Sequence, residues 1–274
     1  MARRREGALS VFVFGAGKVG TSLARALRAK GANVTLRPAR KGVPRTIDVD
    51  VVVLAVRDRD LAPLAGKLVG VVSRRAAVVH VAGALGAEAL SPLRGACAGI
   101  AQMHPMISFA SRRLAPSLDH GNVHVQGDPV AVARARRLAR LLGMTPRTIP
   151  GLDTIAYHAA AGLVANGAAA LAAVGAELLV KAGVARADAT EMLGPLLRSV
   201  ADNVAALGFP EALTGPVRRG DAAGVEKHLK TLREKLPEAV DLYLAAARAQ
   251  LPLAKTIGEA TEESLRAVER ALHR

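Results

Sequence analysis

The chain has 274 residues, enough for one large domain or two of ordinary size. Only 2% of the residues are aromatic, and this scarcity of stacking surfaces argues against a protein that binds single-stranded nucleic acid. The net charge of +15 is spread along the whole chain without a known nucleic-acid-binding motif, so we expect no nucleic-acid partner. Cys97 is the single cysteine, which excludes an internal disulfide and a thiolate metal site, and we expect no metal.

The first half alternates short apolar runs with amphipathic helical stretches, a pattern typical of a parallel sheet with helices on both faces. Strands are predicted at residues 9–14, 33–37, 49–56, 76–81, 99–103, 122–126 and 145–149, and helices at 19–30, 61–69 and 129–142. The alternation at 122–126 favours an edge strand, and the residues around Cys97 favour a buried strand. Residues 1–150 are therefore expected to form a doubly wound α/β domain with a mostly parallel sheet.

The β pattern stops after Pro150, and residues 151–274 are expected to form an all-helical domain. Asp153 is placed to cap a helix that runs to about Lys181, and further helices are predicted at 187–206, 222–235, 237–249 and 261–273. Residues 154–176 contain no Asp, Glu, Lys or Arg, but Ala and Gly dominate them, so we expect a buried helix rather than a membrane span. The basic start at 1–7 lacks the apolar stretch of a signal peptide, and a cytoplasmic location is expected.

A glycine motif follows the first predicted strand and opens the first predicted helix, which is the context that dinucleotide binding requires. Gly15 would allow the tight turn, Gly17 the close approach of a pyrophosphate, and Gly20 the packing of the helix against the sheet. The phosphates would meet the free N–H groups at the start of the helix. The alternative is a tight turn without a ligand. The expected cofactor-binding segment is Gly15, Ala16, Gly17, Lys18, Val19 and Gly20.

The end of the second predicted strand indicates which dinucleotide binds. A cofactor without a 2′-phosphate needs an acidic residue here to bind the ribose hydroxyls, and no acid occurs before Asp48. Arg37, Arg40 and Lys41 are instead placed to hold a 2′-phosphate, although a solvated basic loop is the alternative. NADP(H) is therefore the expected cofactor. Three residues that follow later strands are also expected beside it: Val56, Arg57 and Gly83.

His104 is the main catalytic candidate of the first domain because it precedes a proline at the predicted end of a strand. A histidine in this position can titrate near neutral pH and transfer protons. The alternative, of equal weight, is a loop histidine that is hydrogen-bonded to the backbone. His80 is expected to end its strand structurally, and His120 and His124 to occupy turn and edge positions.

The helical half offers two further candidate sites. His158 and Asn166 interrupt an otherwise apolar helix together with Tyr157, and their spacing of eight residues places them on nearly the same face. Polar groups on a buried helix need partners, which a substrate pocket between the domains or an interhelical hydrogen bond would provide. The other candidate is a carboxylate-binding loop, before the expected helix cap Asp221, formed by Thr214, Gly215, Arg218 and Arg219.

Several segments occur together in one protein family: 15–20 (GAGKVG), 104–109 (HPMISF), 157–161 (YHAAA), Asn166, 213–221 (LTGPVRRGD) and 228–229 (HL). In this order, across nearly the whole chain, they resemble the Rossmann-like proteins with a C-terminal helical domain of unknown function. That family is similar to pyrroline-5-carboxylate reductase and, more distantly, to ketopantoate reductase and prephenate dehydrogenase.

The resemblance implies an NADP(H)-dependent oxidoreductase whose helical domain forms a homodimer. It favours reduction of a small 2-oxo acid such as ketopantoate, as in pantothenate biosynthesis. The alternatives are an imine reductase of the pyrroline-5-carboxylate reductase type and a non-catalytic NADP-binding regulatory protein. The segment 214–216 would hold the substrate carboxylate with Arg218 or Arg219, and Asn166 would orient the carbonyl. Related hydroxy-acid dehydrogenases have a lysine where this chain has Gly162, so the proton donor is expected to be His158 or His104.

Overall fold

The computed structural model describes residues 9–273, and the expected absence of a signal peptide at residues 1–7 lies outside this range. The chain forms two compact units that divide after Leu163. The predicted sheet domain lies in the first unit. The long helix that follows it begins in the first unit and ends in the second.

Seven strands of the first unit form one sheet: β1 (Ser10–Phe14), β2 (Asn33–Arg37), β3 (Val51–Leu54), β4 (Ala77–His80), β5 (Gly99–Pro105), β6 (Asn122–Gly127) and β7 (Thr145–Arg147). Their order in the sheet is β2-β1-β3-β4-β5-β6-β7. All neighbouring strands are parallel except β5 and β6. The predicted doubly wound, mostly parallel α/β fold is therefore confirmed.

Three helices cover this sheet: α1 (Lys18–Ala29), α2 (Asp58–Leu68) and α3 (Pro129–Leu141). Val11 and Val13 of β1 face a core formed with α1 and α3. Phe12 and Phe14 of the same strand face a second core, formed with α2 and a 3-10 turn at Ala87–Leu93. Because both faces are covered, the central strand β3 is apolar at every position, as expected for a parallel sheet.

Two predictions about the strands are wrong. The strand β6 is interior rather than an edge, because it pairs with β5 on one side and β7 on the other. Of its alternating polar residues, His124 is buried beside His104 of β5, whereas Gln126 is exposed. Cys97 lies in the turn before β5 rather than in a strand, with its Sγ 3.4 Å from the backbone oxygen of Leu93. Burial raises the pKa of the Cys97 thiol.

Five helices complete the chain: α4 (Thr154–Lys181), α5 (Arg186–Leu207), α6 (Ala222–Lys235), α7 (Val240–Ile257) and α8 (Glu262–Ala271). A core between α6, α7 and α8 includes Val225, Leu229, Ala254 and Val268. The sequence predicts that this helix ends at residue 249, but α7 continues past Pro252. It continues because Ala254 packs into this core. It ends at Gly258, whose left-handed φ of 71° suits a helix C-terminus.

Helix α4 is not the buried helix that the sequence predicted. Its capping is as expected, since Oδ1 of Asp153 accepts hydrogen bonds from the N–H groups of Ile155 and Ala156. However, none of its 28 residues is buried within the chain. Among the described helices it is also the one that is long and apolar enough to cross a membrane, by length and composition alone. Val174 and Leu178 pack against Leu232 and Leu236 of the same chain, whereas Leu163, Val164 and Leu171 are exposed. An exposed apolar surface of this kind marks a contact with another molecule.

Candidate cofactor and active site

The glycine turn between β1 and α1 has the geometry that dinucleotide binding requires. Gly15 has a φ of 109°, and a Cβ at this position would overlap with the backbone oxygen of Ala55. A Cβ on Gly20 would overlap with the backbone oxygen of Gly15, so Gly20 allows α1 to approach the turn closely. Gly17 differs, because no atom lies within 4 Å of the position of its Cβ. The turn is therefore closed on the protein side and open where a phosphate would approach.

A cavity of about 790 Å³ opens beside this turn, within the range of small-molecule sites. Its walls come from the glycine turn, the loop after β2, the residues that follow β3, and α2. Six of the residues predicted to bind the cofactor line it: Gly15, Ala16, Gly17, Arg40, Val56 and Arg57. Lys18 and Val19 follow directly in the first turn of α1, where unpaired backbone N–H groups favour an anion.

The three basic residues predicted to hold a 2′-phosphate occupy different places. Arg40 lines the cavity. Arg37 donates from Nε to the backbone oxygen of Gly42 at 2.7 Å and from Nη2 to that of Lys41 at 2.6 Å, so its guanidinium shapes the loop. Lys41 contributes this backbone oxygen and no side chain to the cavity wall. Sequence reasoning missed two further cations that line the cavity, Lys67 and Arg112.

A second group of predicted residues converges at the carboxyl ends of β4 and β5, also within the first unit. The ring centroids of His104 and His158 are 5.6 Å apart. A Cβ on Gly83 would lie 2.7 Å from Cε1 and 2.9 Å from Nε2 of His104, and it would overlap with Nδ1 of His158. The missing side chain of Gly83 therefore leaves the space in which both imidazoles meet the loop after β4.

His104 is held in one tautomer by the backbone. Its Nδ1 lies 3.2 Å from the backbone oxygen of Val81. A carbonyl oxygen can only accept, so Nδ1 carries the hydrogen and Nε2 of the neutral ring presents a lone pair. Burial lowers the pKa of His104, and the nearby His158 and His124 lower it further, against the opposing effect of the Val81 carbonyl. At pH 7 the ring is therefore neutral and accepts a hydrogen bond at Nε2.

His104 belongs to a buried polar layer on one face of the sheet, formed by His80, Gln102, His104 and His124. Gln102 is fully buried, and its Nε2 donates to the backbone oxygens of Ala82 at 3.0 Å and of Gly83 at 3.4 Å. Among residues 9–273, neither Oε1 of Gln102 nor Nδ1 of His124 has a hydrogen-bond partner. Sequence reasoning missed Gln102; a lone amide in an apolar strand could have indicated it, because buried amides need partners.

His80 and Tyr157 lie at the margins of this layer. His80 ends β4 structurally, as expected: its Nε2 donates to the backbone oxygen of Gly86 at 2.9 Å, and burial lowers its pKa. The ring of Tyr157 lies 5.8 Å from those of both His104 and His124, and burial raises the pKa of its phenol.

Although histidines are concentrated here, the described residues include no group of three His, Cys, Asp or Glu side chains that could hold a metal ion.

Some of the functional residues predicted in the second unit already have partners within that unit. Nε of Arg218 forms an ion pair with Glu259 at 2.6 Å, and its Nη1 donates to the backbone oxygens of residues 211 and 213. Asp221 caps α6, as expected, by accepting from the N–H of Gly224 at 2.8 Å. The side chains of Asn166, Thr214 and Arg219 are exposed in this chain, and Gly215 has a left-handed φ of 97°. The roles assigned to these residues stay predictions.

Comparison with known proteins finds a family model that matches part of the chain. Residues 122–250 match the model of a domain of unknown function, DUF2520. No curated protein matches the chain in sequence.

Solved structures show that the whole fold recurs. A candidate NADP oxidoreductase from Bacteroides fragilis is 21% identical, with a TM-score of 0.70 over 89% of this chain and 98% of that one. A pyrroline carboxylate reductase from Plasmodium falciparum with NADP bound is 13% identical, with a TM-score of 0.61 over 95% and 98% of the two chains. An imine reductase from Pseudomonas is 18% identical, with a TM-score of 0.56 over 97% and 100%. The predicted Rossmann-like fold with a C-terminal helical domain, similar to pyrroline-5-carboxylate reductases, is therefore confirmed, whereas similarity to ketopantoate reductase stays a prediction.

Proposed function

We propose that this chain is an NADP(H)-dependent reductase that acts on a C=N bond in a small carboxylate, such as a cyclic imine. The observation that carries the proposal is the tautomer of His104, whose Nε2 presents a lone pair beside Gly83. This atom can orient a substrate that brings its own N–H group. The similarity in fold to a pyrroline carboxylate reductase and an imine reductase supports the same substrate class.

The cavity beside the glycine turn fits NADP(H). Gly17 leaves open space for a pyrophosphate at the start of α1, and Arg40 lines the same cavity from the loop after β2, where a 2′-phosphate would lie. No carboxylate occurs at the end of β2 to favour a ribose with free hydroxyls. When bound, NADPH supplies a hydride from its nicotinamide ring.

The protonation state of His104 favours reduction of a C=N bond over reduction of a C=O bond. A 2-oxo acid needs a proton delivered to its oxygen as the hydride arrives, and neutral His104 has no hydrogen at Nε2 to deliver. A protonated imine already carries that proton, so an acceptor at Nε2 can hold the N–H group and fix its orientation. After reduction, the same lone pair remains hydrogen-bonded to the amine N–H. Reduction of ketopantoate would instead require His158, which is exposed, as the proton donor.

The loop that contains Thr214 and Arg219 is proposed to bind a carboxylate. Because Arg218 is paired with Glu259, the exposed Arg219 is the better candidate for a substrate carboxylate, together with Thr214. Asn166 is proposed to orient the reacting group.

Steady-state NADPH oxidation tests the proposal with two substrates, a cyclic imine carboxylate and ketopantoate. We expect kcat/KM for the imine to be higher by about tenfold or more. His104→Gln should lower it by about 100-fold, as is typical when the orientation of a substrate is lost. His120→Asn, in a turn of the same unit, is the control and should keep full activity. Turnover of ketopantoate alone would restore the oxo-acid hypothesis, and turnover of neither would favour a non-catalytic NADP-binding protein.

We also propose that the chain is a homodimer. Helix α5 exposes Met192, Leu196 and Val200, which recur every four residues and therefore form one apolar stripe. Helix α4 exposes Val164 and Leu171. A second copy of the chain is the proposed cover for these residues, since isologous contact between identical apolar faces is the commonest way to close such a surface.

A further inference from the structure

The segment at residues 106–118, which connects β5 and β6, is tied to the dinucleotide-binding helix. Arg25 of α1 donates from Nη1 to the backbone oxygen of Arg113 at 3.1 Å and from Nη2 to that of Arg112 at 3.3 Å. Closer to β5, Ile107 and Phe109 pack against the core on the α1 side of the sheet. The segment therefore starts at the carboxyl end of β5 and reaches across to α1.

This course brings a second arginine to the cavity that Arg40 also lines. The side chain of Arg112 lines the cavity together with the glycine turn, although 92 residues separate it from Gly20 in sequence. In the sheet, β1 lies between β2, whose following loop carries Arg40, and the strands that lead to β5. Arg40 and Arg112 thus line one cavity although they follow two different strands, β2 and β5.

The balance of charge in the cavity favours an anion at this point. Four cations line it, namely Arg40, Arg57, Lys67 and Arg112, and Asp60 is the one lining acid among residues 9–273. That acid is already within 3.6 Å of Arg57. Within residues 9–273 Arg112 forms no ion pair, and its side chain is exposed. A phosphate bound here would therefore gain a guanidinium that holds no carboxylate.

We propose that Arg112 binds the pyrophosphate of the dinucleotide, and that residues 106–118 form a strap which Arg25 holds across the glycine turn. This inference rests on the proposed function, because it assumes that NADP(H) occupies the cavity. It assigns the two arginines different phosphates: Arg40 holds the 2′-phosphate, and Arg112 holds the pyrophosphate that NADP⁺ shares with ADP-ribose.

Equilibrium binding of NADP⁺ and of ADP-ribose to four variants of the full chain separates these roles. We expect Arg112→Gln to raise the Kd of both ligands by the same factor, about tenfold, the loss of a charge-assisted hydrogen bond. Arg40→Gln should raise the Kd of NADP⁺ only. Arg113→Gln is the matched control, next in sequence and equally exposed, and should change either Kd by less than about twofold. Arg25→Gln should weaken both ligands by a smaller factor than Arg112→Gln.

Each other outcome contradicts part of the inference. If Arg112→Gln weakens NADP⁺ but not ADP-ribose, Arg112 binds the 2′-phosphate and the assignment is wrong. If it has no more effect than Arg113→Gln, Arg112 binds neither phosphate, and if Arg25→Gln has no effect, the strap is not held by Arg25. If the unmodified chain binds neither ligand, the proposed function itself fails, so the two failures are distinguishable.

Discussion

The Nδ1 atom of His104 lies 3.2 Å from the backbone oxygen of Val81, a residue at the end of the neighbouring strand. This one hydrogen bond determines which ring nitrogen faces the space beside Gly83. The sequence leaves open whether His104 acts in catalysis or only forms a hydrogen bond to the backbone. The two are compatible, since one ring nitrogen is bonded to the backbone and the other is free at the end of the strand. The chemistry proposed for the chain follows from that free nitrogen being an acceptor.

Stability should fall as the pH is lowered from 7 to 5, in part because of His104. Its pKa is lowered in the folded chain, so the unfolded chain binds more protons in this range. The resulting stability is present above the unfolded pKa of about 6.5 and is lost as the pH falls through the folded pKa. Urea unfolding at several pH values gives the free energy of unfolding as a function of pH. This free energy should change less steeply with pH in His104→Gln than in the unmodified chain. Some dependence should remain, because the pKa of His80 is lowered too.

The control for this measurement is His273→Gln, since His273 is exposed and lies outside the first unit. It should leave the slope unchanged. An equal change in slope for the two variants would show that His104 has no special role in the pH dependence.

Gly83→Ala should damage activity without unfolding the chain. The added Cβ would meet the rings of His104 and His158, which must move, while the cofactor cavity is lined by other residues. We expect kcat to fall by about 10- to 100-fold, as is typical when catalytic geometry shifts by about 1 Å, with the Kd for NADP⁺ changed by less than about twofold. Gly86→Ala is the matched control in the same loop, because a Cβ there meets no atom within 4 Å. Equal activity of the two variants would contradict the placement of the histidines.

Gly17→Ala and Gly20→Ala should separate cofactor binding from stability. A Cβ on Gly17 enters open space, so this variant should melt normally but bind NADP⁺ more weakly by about tenfold or more. A Cβ on Gly20 overlaps with the backbone oxygen of Gly15, so this variant should lose at least the ~1–3 kcal/mol typical of overpacking. Thermal melting and ligand titration check both, and a stable Gly20→Ala variant with normal binding would contradict the observed packing.

Leu196→Glu should dissociate the proposed homodimer. The side chain is 57% exposed on the apolar stripe of α5, so a buried charge at a dimer contact would be strongly unfavourable while the monomer tolerates it. Val69→Glu, at a residue that is 48% exposed at the end of α2, is the control and should remain dimeric. Sedimentation equilibrium measures both. A monomeric unmodified chain that binds to lipid vesicles would show instead that the apolar helices contact a membrane.

The sequence predicts the architecture well because its signals are local. Alternating apolar runs locate every strand of the sheet, and Gly31, with its φ of 83°, follows the end of α1 as a glycine commonly does. The error at β6 has a physical cause: polar residues on alternate positions indicate a solvent-facing edge, but β7 pairs with this strand on its outer side and His124 is buried beside His104 of β5. The alternation of polar and apolar residues alone does not distinguish a solvent-exposed face of a strand from a buried polar face.

The site is less predictable because its contacts are distant in sequence. Gly83, His104 and His158 are each conspicuous, yet only the folded chain shows that they meet. Arg37 and Arg218 look equivalent to their neighbours in the sequence, but backbone oxygens and Glu259 already occupy their guanidinium groups. Arg112 lies outside every motif and is recognised only because Arg25 holds its segment beside the cavity.

Hydride transfer from labelled cofactor tests the central claim most directly. NADPH that carries deuterium at both hydrogen positions of the nicotinamide C4 is incubated with the chain and a cyclic imine carboxylate, and the product is analysed by mass spectrometry. The account predicts one deuterium on the carbon of the former C=N bond, with the amount formed reduced about 100-fold in His104→Gln. An unlabelled product, or none from any imine while NADP⁺ still binds, would contradict it.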